Sequence, residues 1–275
     1  MKTTLPPLIL IRGGGDLASG AALRLHRSGF GVVITEIAQP LAVRRAASFS
    51  EAVFQGEAQV EGVEAGRCDD EEQITAVIAA GKIAVRVDAS AACARRLQFL
   101  ACVEGRMLKS PLDDLLYPGL FTVGLGPGFN AGKNCHAVVE TNRGPFLGRV
   151  YWHGSAQEDT AEPEAVKGHG ADRVLRARRS GTLTTLHEIG EMVEAGEPVC
   201  RIEDEPVIAP FRAVIRGLLR NGMPVQAGMK VGDLDPRCDR SLCFIASDKA
   251  LAVGGGVLEA LLSSQTIRQS LRGHG

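Results

Sequence analysis

The sequence has no excess of charge of either sign and no long basic block. Lysines and arginines number 31 against 32 aspartates and glutamates, and the most basic stretch is RVLRARR at residues 173–179. This balance argues against a nucleic-acid partner. A long apolar run is also missing, since the one in MKTTLPPLILIRGGG meets an arginine after a few residues. That run is too short for a signal peptide or a membrane span, so we expect a cytoplasmic protein with no membrane partner.

Cysteine pairs with a metal-binding or redox spacing are absent as well. The seven cysteines are scattered and none belongs to a C-x-x-C motif, which argues against a disulfide framework and against a zinc site. No Ser-His-Asp arrangement, metal-ligand spacing or paired-carboxylate motif indicates a hydrolase. We therefore predict no bound metal and interpret most of the cysteines as buried thiols.

Short apolar runs that contain Val and Ile alternate with helical patterns in the first half of the chain. This alternation predicts an α/β domain with a Rossmann-like parallel sheet and right-handed crossovers. The connection at residues 40–65 is longer than usual and carries Arg44 and Arg45, so it either builds part of a site or presents a solvated charged face. The predicted strands are residues 8–12, 32–36, 83–87, 99–103 and 121–125.

An internal repeat follows a polar, linker-like stretch near residue 155. From residue 175 to 234 the sequence repeats without a gap at an offset of 32, so that Leu183 aligns with Ile215 and Val199 with Val231. Halves this short cannot each bury a face alone, so we expect them to fold together as an all-β module. Through IAPFRAVI and GMPVQAG the module resembles the barrel-sandwich hybrids of the lipoyl/biotinyl type. Its hairpin, IEDEPV, lacks the lysine of a carrier domain, so a structural or docking role is expected.

Two domains follow from these patterns. We predict a Rossmann-like α/β domain over residues 1–165 and a barrel-sandwich-hybrid module over residues 170–236. The C-terminal stretch SDKALAVGGGVLEALL has an apolar helical face that needs a partner. We therefore expect C-terminal helices within residues 245–275 to complete the α/β domain.

A glycine loop follows the first predicted strand. Residues 13–18, GGGDLA, fit the fingerprint G-x-G-x-x-A, in which glycines make the turn and admit a pyrophosphate. The second strand ends at Glu36, whose carboxylate suits ribose hydroxyls and repels a 2′-phosphate, which favours NAD over NADP. Asp16 opposes this interpretation, because as a helix N-cap it would occupy the amides that a phosphate needs. The alternative is a tight turn that holds no nucleotide. The predicted ligand-binding residues are Gly13, Gly14, Gly15, Asp16 and Glu36.

A second glycine-rich segment, FTVGLGPGFNAGKNCHAVVETNRG, spans residues 121–144. Its glycines would let the backbone approach a ligand closely, and we predict contacts at Gly124, Gly126 and Gly128. His136 is the candidate catalytic acid or base, although a lone histidine near the start of a strand is more often a structural residue. Arg143 would hold a phosphate or carboxylate through bidentate contacts.

Several long motifs together resemble one known family, the YqeB-like accessory proteins of the selenium-dependent molybdenum hydroxylase system. The resemblance runs from about residue 8 to residue 262 and implies a role in preparing or inserting the molybdenum cofactor of a purine- or xanthine-type hydroxylase. The sequence departs from the family pattern in VEGRMLKSP. Arg106 and Lys109 keep an anion site there, but the resemblance assigns no role to Glu104. The motifs are IRGGGDLASGAALRLHRSGFGVVITEIAQPLAVRRAASFSEAVFQG, VGLGPGFNAGKNCHAVVETNRG, LGRVYWHGSA, GDLDPR and SDKALAVGGGVLEALL.

Two functional hypotheses remain open at this point. In the first, the protein is a maturation factor whose α/β domain binds a phosphate-bearing ligand, either an NAD-type nucleotide or a molybdopterin-type cofactor. Its β module would then dock the apo-hydroxylase or other cofactor-maturation proteins. In the second, the same loop serves an NAD-dependent oxidoreductase in which His136 transfers the proton. A purely structural scaffold is a third interpretation, and self-association is left open.

Overall fold

The computed structural model describes residues 5–108, 117, 119–158 and 165–272. These residues form two compact units. The first unit takes the described residues within 1–40, 48–160 and 246–275, and the second takes those within 41–47 and 161–245. The short segment 41–47 therefore belongs with the second unit, although it lies inside the α/β portion of the sequence.

A mixed, mostly parallel sheet of nine strands forms the centre of the first unit. Its order is β3-β4-β5-β2-β1-β6-β7-β8-β9. The two outermost pairs, β3 with β4 and β8 with β9, are antiparallel, and every pair between them is parallel. The strands are β1 (Leu8–Arg12), β2 (Gly31–Glu36), β3 (Glu57–Val60), β4 (Val63–Cys68), β5 (Ile83–Val87), β6 (Phe99–Glu104), β7 (Phe121–Leu125), β8 (Ala137–Val139) and β9 (Val150–Tyr151).

The five predicted strands are confirmed to within one residue as β1, β2, β5, β6 and β7. They were recognisable because both faces of each are covered, so that nearly every side chain along them is apolar. The strands at the sheet edges were not predicted. In β3 and β4 polar and apolar residues alternate, and both lie in the long connection after β2. That connection therefore extends the sheet with a hairpin.

Five helices accompany the sheet, and two of them meet at glycines. A Cβ atom on Gly20 would overlap the carbonyl oxygen of Ala250, and one on Gly254 would lie 2.6 Å from the carbonyl oxygen of Gly20. The two backbones therefore approach as closely as helices can, which brings the C-terminal helix back to the first unit. The helices are α1 (Asp16–Arg27), α2 (Ala52–Gln55), α3 (Glu71–Ala79), α4 (Asp248–Ser263) and α5 (Gln265–Arg272).

Gly20→Ala is expected to lower the free energy of unfolding by about 1–3 kcal/mol, because the added methyl group has no space between α1 and α4. The matched control is Gly255→Ala in α4, where a Cβ atom would meet no atom within 4 Å. That change should stabilise the protein by about 0.5–1 kcal/mol through helix propensity. Urea unfolding of both variants measures the difference, and equal effects would contradict the close helix contact.

No single helix among the described residues is long and apolar enough to cross a membrane. Only α4 and α5 taken together reach the necessary length and composition, and they meet at a bend of 97°. The apolar side of α4, with Val253, Val257 and Leu261, is buried in the core of the first unit.

The second unit consists of two antiparallel sheets of four strands each. Their orders are β10-β17-β15-β12 and β14-β13-β11-β16. The predicted α/β class with a smaller all-β module is confirmed at this level. The strands are β10 (Val174–Arg176), β11 (Gly181–Thr185), β12 (Met192–Val193), β13 (Pro198–Ile202), β14 (Glu205–Ile208), β15 (Ala213–Leu218), β16 (Pro224–Val225) and β17 (Lys230–Asp235).

The internal repeat corresponds to equivalent strands in the two halves of this unit. Strands β11, β12 and β13 recur 32 residues later as β15, β16 and β17. The short middle strands are exchanged, because β12 pairs with β15 and β16 pairs with β11. Each half thus completes the sheet of the other half. This confirms the expectation that neither half buries its apolar face alone.

Candidate functional site

The glycine loop lies at the carboxyl end of β1. Gly13 has φ +85° and its amide donates to the carbonyl oxygen of Thr35 at 2.8 Å, so it makes the tight turn. Ala18 packs closely on the end of β6, since a Cβ atom on Gly105 would lie 2.9 Å from the Cβ atom of Ala18. Gly15 has ordinary extended angles, and a Cβ atom there would meet nothing within 4 Å. The backbone of Gly15 therefore faces open space.

Gly14 has a different role from the one that the sequence predicted. Its carbonyl oxygen accepts hydrogen bonds from the amide of Ser50 and the hydroxyl of Ser19, both at 3.0 Å. A Cβ atom on Gly14 would lie 3.0 Å from the amide nitrogen of Ser50. Gly14 is buried and its polar groups bond within the protein, so we assign it to the packing of the loop.

Asp16 does not cap helix α1, contrary to the sequence-based expectation. The N-cap residue is Gly15, which has no side chain to make a capping hydrogen bond, and Asp16 is the first residue of the helix. The N-cap position of α1 therefore holds no carboxylate. The amides at the start of a helix, together with the helix dipole, favour an anion.

Glu36, at the end of β2, is tied to this loop by its carboxylate. One oxygen accepts the amide of Gly14 at 2.7 Å and the other accepts the amide of Ile37 at 2.8 Å. The side chain is only half-buried, and each carboxylate oxygen can accept more than one hydrogen bond. Glu36 is thus held rigidly while it can still accept hydrogen bonds from a ligand.

Two arginines share one buried carboxylate at the ends of β1 and β6. Glu104 has no exposed surface, and it accepts two hydrogen bonds from Arg106, at 2.6 and 2.7 Å, and one from Arg12 at 3.3 Å. Burial lowers the pKa of Arg106, but the bonds to Glu104 raise it above its usual value, so the guanidinium stays charged. The cluster carries one surplus positive charge. Sequence reasoning gave Glu104 no role, although an ionisable residue at the end of an apolar strand was the available signal.

Tyr117 and the backbone near β5 complete the surroundings of Arg12. The Arg12 guanidinium donates to the carbonyl oxygen of Ala89 at 2.7 Å and lies 5.7 Å from the centre of the Tyr117 ring. Burial raises the pKa of Tyr117 to about 12, so its phenol remains protonated. Lys109, the other predicted basic residue of this segment, lies outside the described residues.

The second glycine loop is filled by the chain itself. A Cβ atom on Gly124 would overlap the ring of Phe129, and one on Gly128 would overlap the carbonyl oxygen of Leu108. Gly126 has φ +83°, which supports a turn. Gly124 and Gly128 thus have packing roles and Gly126 has a turn role, and ligand contacts at these glycines stay a prediction.

His136 lies away from the glycine loop. It immediately precedes β8, which is three strands from β1 in the sheet, so strand spacing alone separates it from the loop by roughly 14 Å. Its Nδ1 accepts the amide of Thr122 at 3.0 Å, and its ring stacks on Phe121. His136 therefore does not contact a group bound at the glycine loop itself, and its catalytic role stays a prediction.

Three arginines that the sequence singled out have partners within the protein: Arg143, predicted to bind an anion, and Arg44 and Arg45 of the long connection. Arg143 makes a bidentate pair with Asp248 at 2.7 and 2.8 Å, so the anion it holds is a side chain of the first unit. In the second unit, Arg44 donates to the carbonyl oxygens of Leu242 and Ile245, and Arg45 pairs with Glu188 at 2.7 Å. We therefore leave all three arginines out of the candidate site.

Cys135 is poorly suited to sulfur or selenium transfer. It is buried, and burial raises the pKa of its thiol to about 11, which leaves roughly one thiolate in a thousand at pH 8. All seven cysteines are free, and Cys238 is the one that is not fully buried. No group of three or more His, Cys, Asp or Glu side chains within the described ranges could hold a metal ion.

We expect a single thiol of the native protein, Cys238, to react rapidly with Ellman's reagent at pH 8. The other thiols should react only after unfolding, because their sulfurs are buried. The Cys238→Ser variant should lose the rapid phase and Cys135→Ser should retain it. The reverse pattern would show that Cys135 is accessible.

Comparison with known proteins shows a related sequence. The chain is 42% identical over 255 residues to "Uncharacterized protein YqeB" of Escherichia coli K12, and the match covers 93% of this chain. It covers 47% of YqeB, so the chain spans about half the length of that relative. No family model matches the chain.

Two solved structures show a weak overall likeness. An aspartoacylase family protein from Mesorhizobium loti is 12% identical with a TM-score of 0.24, and it matches over 84% of this chain and 85% of its own. A succinylglutamate desuccinylase/aspartoacylase from Rhodobacter sphaeroides is 14% identical with a TM-score of 0.25 over the same shares of the two chains. Scores this low transfer neither fold nor activity to this protein.

Proposed function

Starting from the homology of this chain to YqeB, we propose that it is an accessory protein in the maturation of a selenium-dependent molybdenum hydroxylase in the cytoplasm. Its first unit, which we assign to the Rossmann-like folds, binds a phosphate-bearing ligand, either a nucleotide or a molybdopterin-type cofactor. Its second unit, which we assign to the barrel-sandwich hybrids, docks the apo-hydroxylase or another maturation protein. The hydroxylase role rests on the motif resemblance, and the ligand class rests on the glycine loop.

The open backbone at Gly15 is the observation that carries the ligand proposal. The fold does not need glycine there, because the backbone angles suit any residue and a side chain would meet no atom. Glycine at the N-cap does leave the start of α1 without an N-cap side chain that would compete with a phosphate for the helix amides. Both features favour the close approach of a phosphate, as in other glycine loops that precede a helix.

Glu36 makes a ribonucleotide the preferred ligand. Its carboxylate is fixed beside the loop by the amides of Gly14 and Ile37 and faces solvent in part. This is where the fingerprint places the acceptor for ribose hydroxyls. A dinucleotide such as NAD is thus a second candidate ligand. Hydride transfer with His136 is left out of the proposal because His136 lies at the amino end of β8, whereas the glycine loop follows the carboxyl end of β1.

A thermal-shift titration against NAD, NADH, NADP, ATP, CTP and a molybdopterin preparation tests the ligand proposal. A true ligand at one hundred times its Kd should add about 2.7 kcal/mol of stability. For a nucleotide, Glu36→Gln should remove the preference for the ribose over the 2′-deoxyribose form while keeping phosphate binding. The control is Glu64→Gln, at a carboxylate that pairs with Lys82 on the surface. If no compound stabilises the wild type, the glycine loop has only a structural role.

The accessory role is tested separately in cells. Deleting the gene should lower the activity of the molybdenum hydroxylase while the amount of its polypeptide stays unchanged. Adding the purified chain and cofactor to the inactive enzyme should then restore activity. Full hydroxylase activity in the deletion strain would refute the accessory role without affecting the ligand proposal.

A further inference from the structure

Two regions that attract anions lie on opposite sides of the glycine loop. Helix α1 covers one face of the sheet, where Ala18 packs with Ile9 and Ile11. Side chains alternate along a strand, so Arg12 follows Leu8 and Leu10 onto the other face, where α3 packs. Glu104 follows Cys102 onto that same face. The start of α1 and the Arg12–Glu104–Arg106 cluster thus flank the carboxyl end of β1 from its two sides.

Arg106 is the member of this cluster that a ligand can reach. A Cβ atom on Gly13 would lie 3.4 Å from Cγ of Arg106, so this side chain borders the loop directly. Its Nε and Nη2 atoms bind Glu104, whereas Nη1 donates to no group among the residues described. The side chain is 32% exposed, against 9% for Arg12. With respect to the described residues, Arg106 therefore has unused donors at Nη1 beside the loop, and Glu104 keeps its guanidinium in place.

Within this cluster of three described side chains, the positive charges outnumber the negative ones by one. Two guanidinium groups share the single carboxylate of Glu104, which is fully buried and tied to both. One positive charge remains, and it lies at the point where parallel strands diverge to β2 on one side of β1 and to β6 on the other. Ligands of open α/β sheets bind in the crevice at such a point. A ligand with a single phosphate on Gly15 would leave this charge unused.

We propose that the ligand carries two linked anionic groups, with one phosphate on the open backbone of Gly15 and a second on Arg106. The ligand class is therefore a nucleoside diphosphate or a dinucleotide with a pyrophosphate bridge, and a monophosphate ester binds more weakly. This inference rests on the proposed nucleotide function and adds the residue that reads the second phosphate. Glu104 and Arg12 act as positioning residues for Arg106.

Isothermal titration of the full chain with AMP and ADP, in EDTA and at low salt, tests this assignment. The wild type should bind ADP at least about tenfold more tightly than AMP, because a second phosphate gains charge-assisted hydrogen bonds. Arg106→Met should bring ADP down to the affinity of AMP and leave AMP unchanged. The matched control Arg143→Met removes an arginine already paired with Asp248 and should keep the difference. Arg106→Lys retains the charge without the planar donors and should keep part of the difference in affinity between ADP and AMP.

The results distinguish failure of the second phosphate site from failure of the proposed nucleotide-binding function. If the wild type binds AMP and ADP equally, or if Arg106→Met weakens both alike, the second phosphate site is wrong and the nucleotide function stands. If neither nucleotide nor NAD binds the wild type, the nucleotide function itself fails. Circular dichroism of each variant shows whether it is folded. If Arg106→Met does not fold, the ratio of ADP to AMP affinity in Arg106→Lys tests the role of Arg106.

Discussion

Gly15→Asp should strongly weaken ligand binding while leaving the protein as stable as the wild type or slightly more stable. Aspartate is among the best helix N-cap residues, and Gly15 already has N-cap backbone angles and open space for a side chain. The fold should gain a few tenths of a kcal/mol. The new carboxylate would occupy the amides at the start of α1 and repel a phosphate. We expect affinity to fall on the order of 100-fold, or about 2.7 kcal/mol.

Urea unfolding and ligand titration of the same preparation measure these opposite effects. The control is Gly14→Ala, since Gly14 touches Ser50 and Ile34 and a Cβ atom there would lie 3.0 and 3.1 Å from their atoms. That variant should lose stability. If Gly15→Asp binds the ligand as tightly as the wild type, the phosphate does not lie at the start of α1.

Glu104→Ala should lower the free energy of unfolding by about 3–5 kcal/mol, the largest effect that we expect from a single substitution here. The carboxylate is fully buried between Arg12 and Arg106. Removing it leaves the positive charges of Arg12 and Arg106 close together, and the Arg12 side chain is also buried. Denaturant midpoints of the variant and the wild type, at equal slope, measure the loss.

Asp69→Ala is the matched control for Glu104→Ala in the same unit. Asp69 also pairs with an arginine, Arg67, but both side chains are largely exposed to solvent. Its loss should therefore cost less than about 1 kcal/mol. Arg12→Met combined with Glu104→Ala removes one of the stranded charges and should recover part of the lost stability. A cost below 1 kcal/mol for Glu104→Ala would show that water reaches the arginine pair.

Local patterns in the sequence carried the prediction of the main elements. Apolar runs predicted β1, β2, β5, β6 and β7, because strands covered on both faces leave a continuous apolar signature. The edge strand β3 and its neighbour β4 lack this signature because one face of each is exposed. The 32-residue repeat was also visible, since equivalent positions in the two halves meet the same core.

The roles of individual glycines were only partly readable. Gly13 and Ala18 have the roles that the fingerprint assigns, because a turn and a close helix contact depend on neighbouring residues. Gly124 and Gly128 looked like ligand contacts, yet Phe129 and Leu108 fill the space beside them. A glycine that admits a ligand and a glycine that admits another part of the chain look the same in a sequence.

Sequence patterns were enough to predict the α/β class, the parallel central strands, the repeated β module and the glycine turn after β1. These follow from the spacing of apolar residues and glycines along a short stretch of chain. Tertiary structure alone decided which charges meet. Arg12 and Glu104 are 92 residues apart, and Arg143 and Asp248 are 105 apart. Strand order likewise put His136 three strands from the loop. Coulomb interactions and hydrogen bonds act over a few ångströms in space, and that proximity exists only once the sheet has formed.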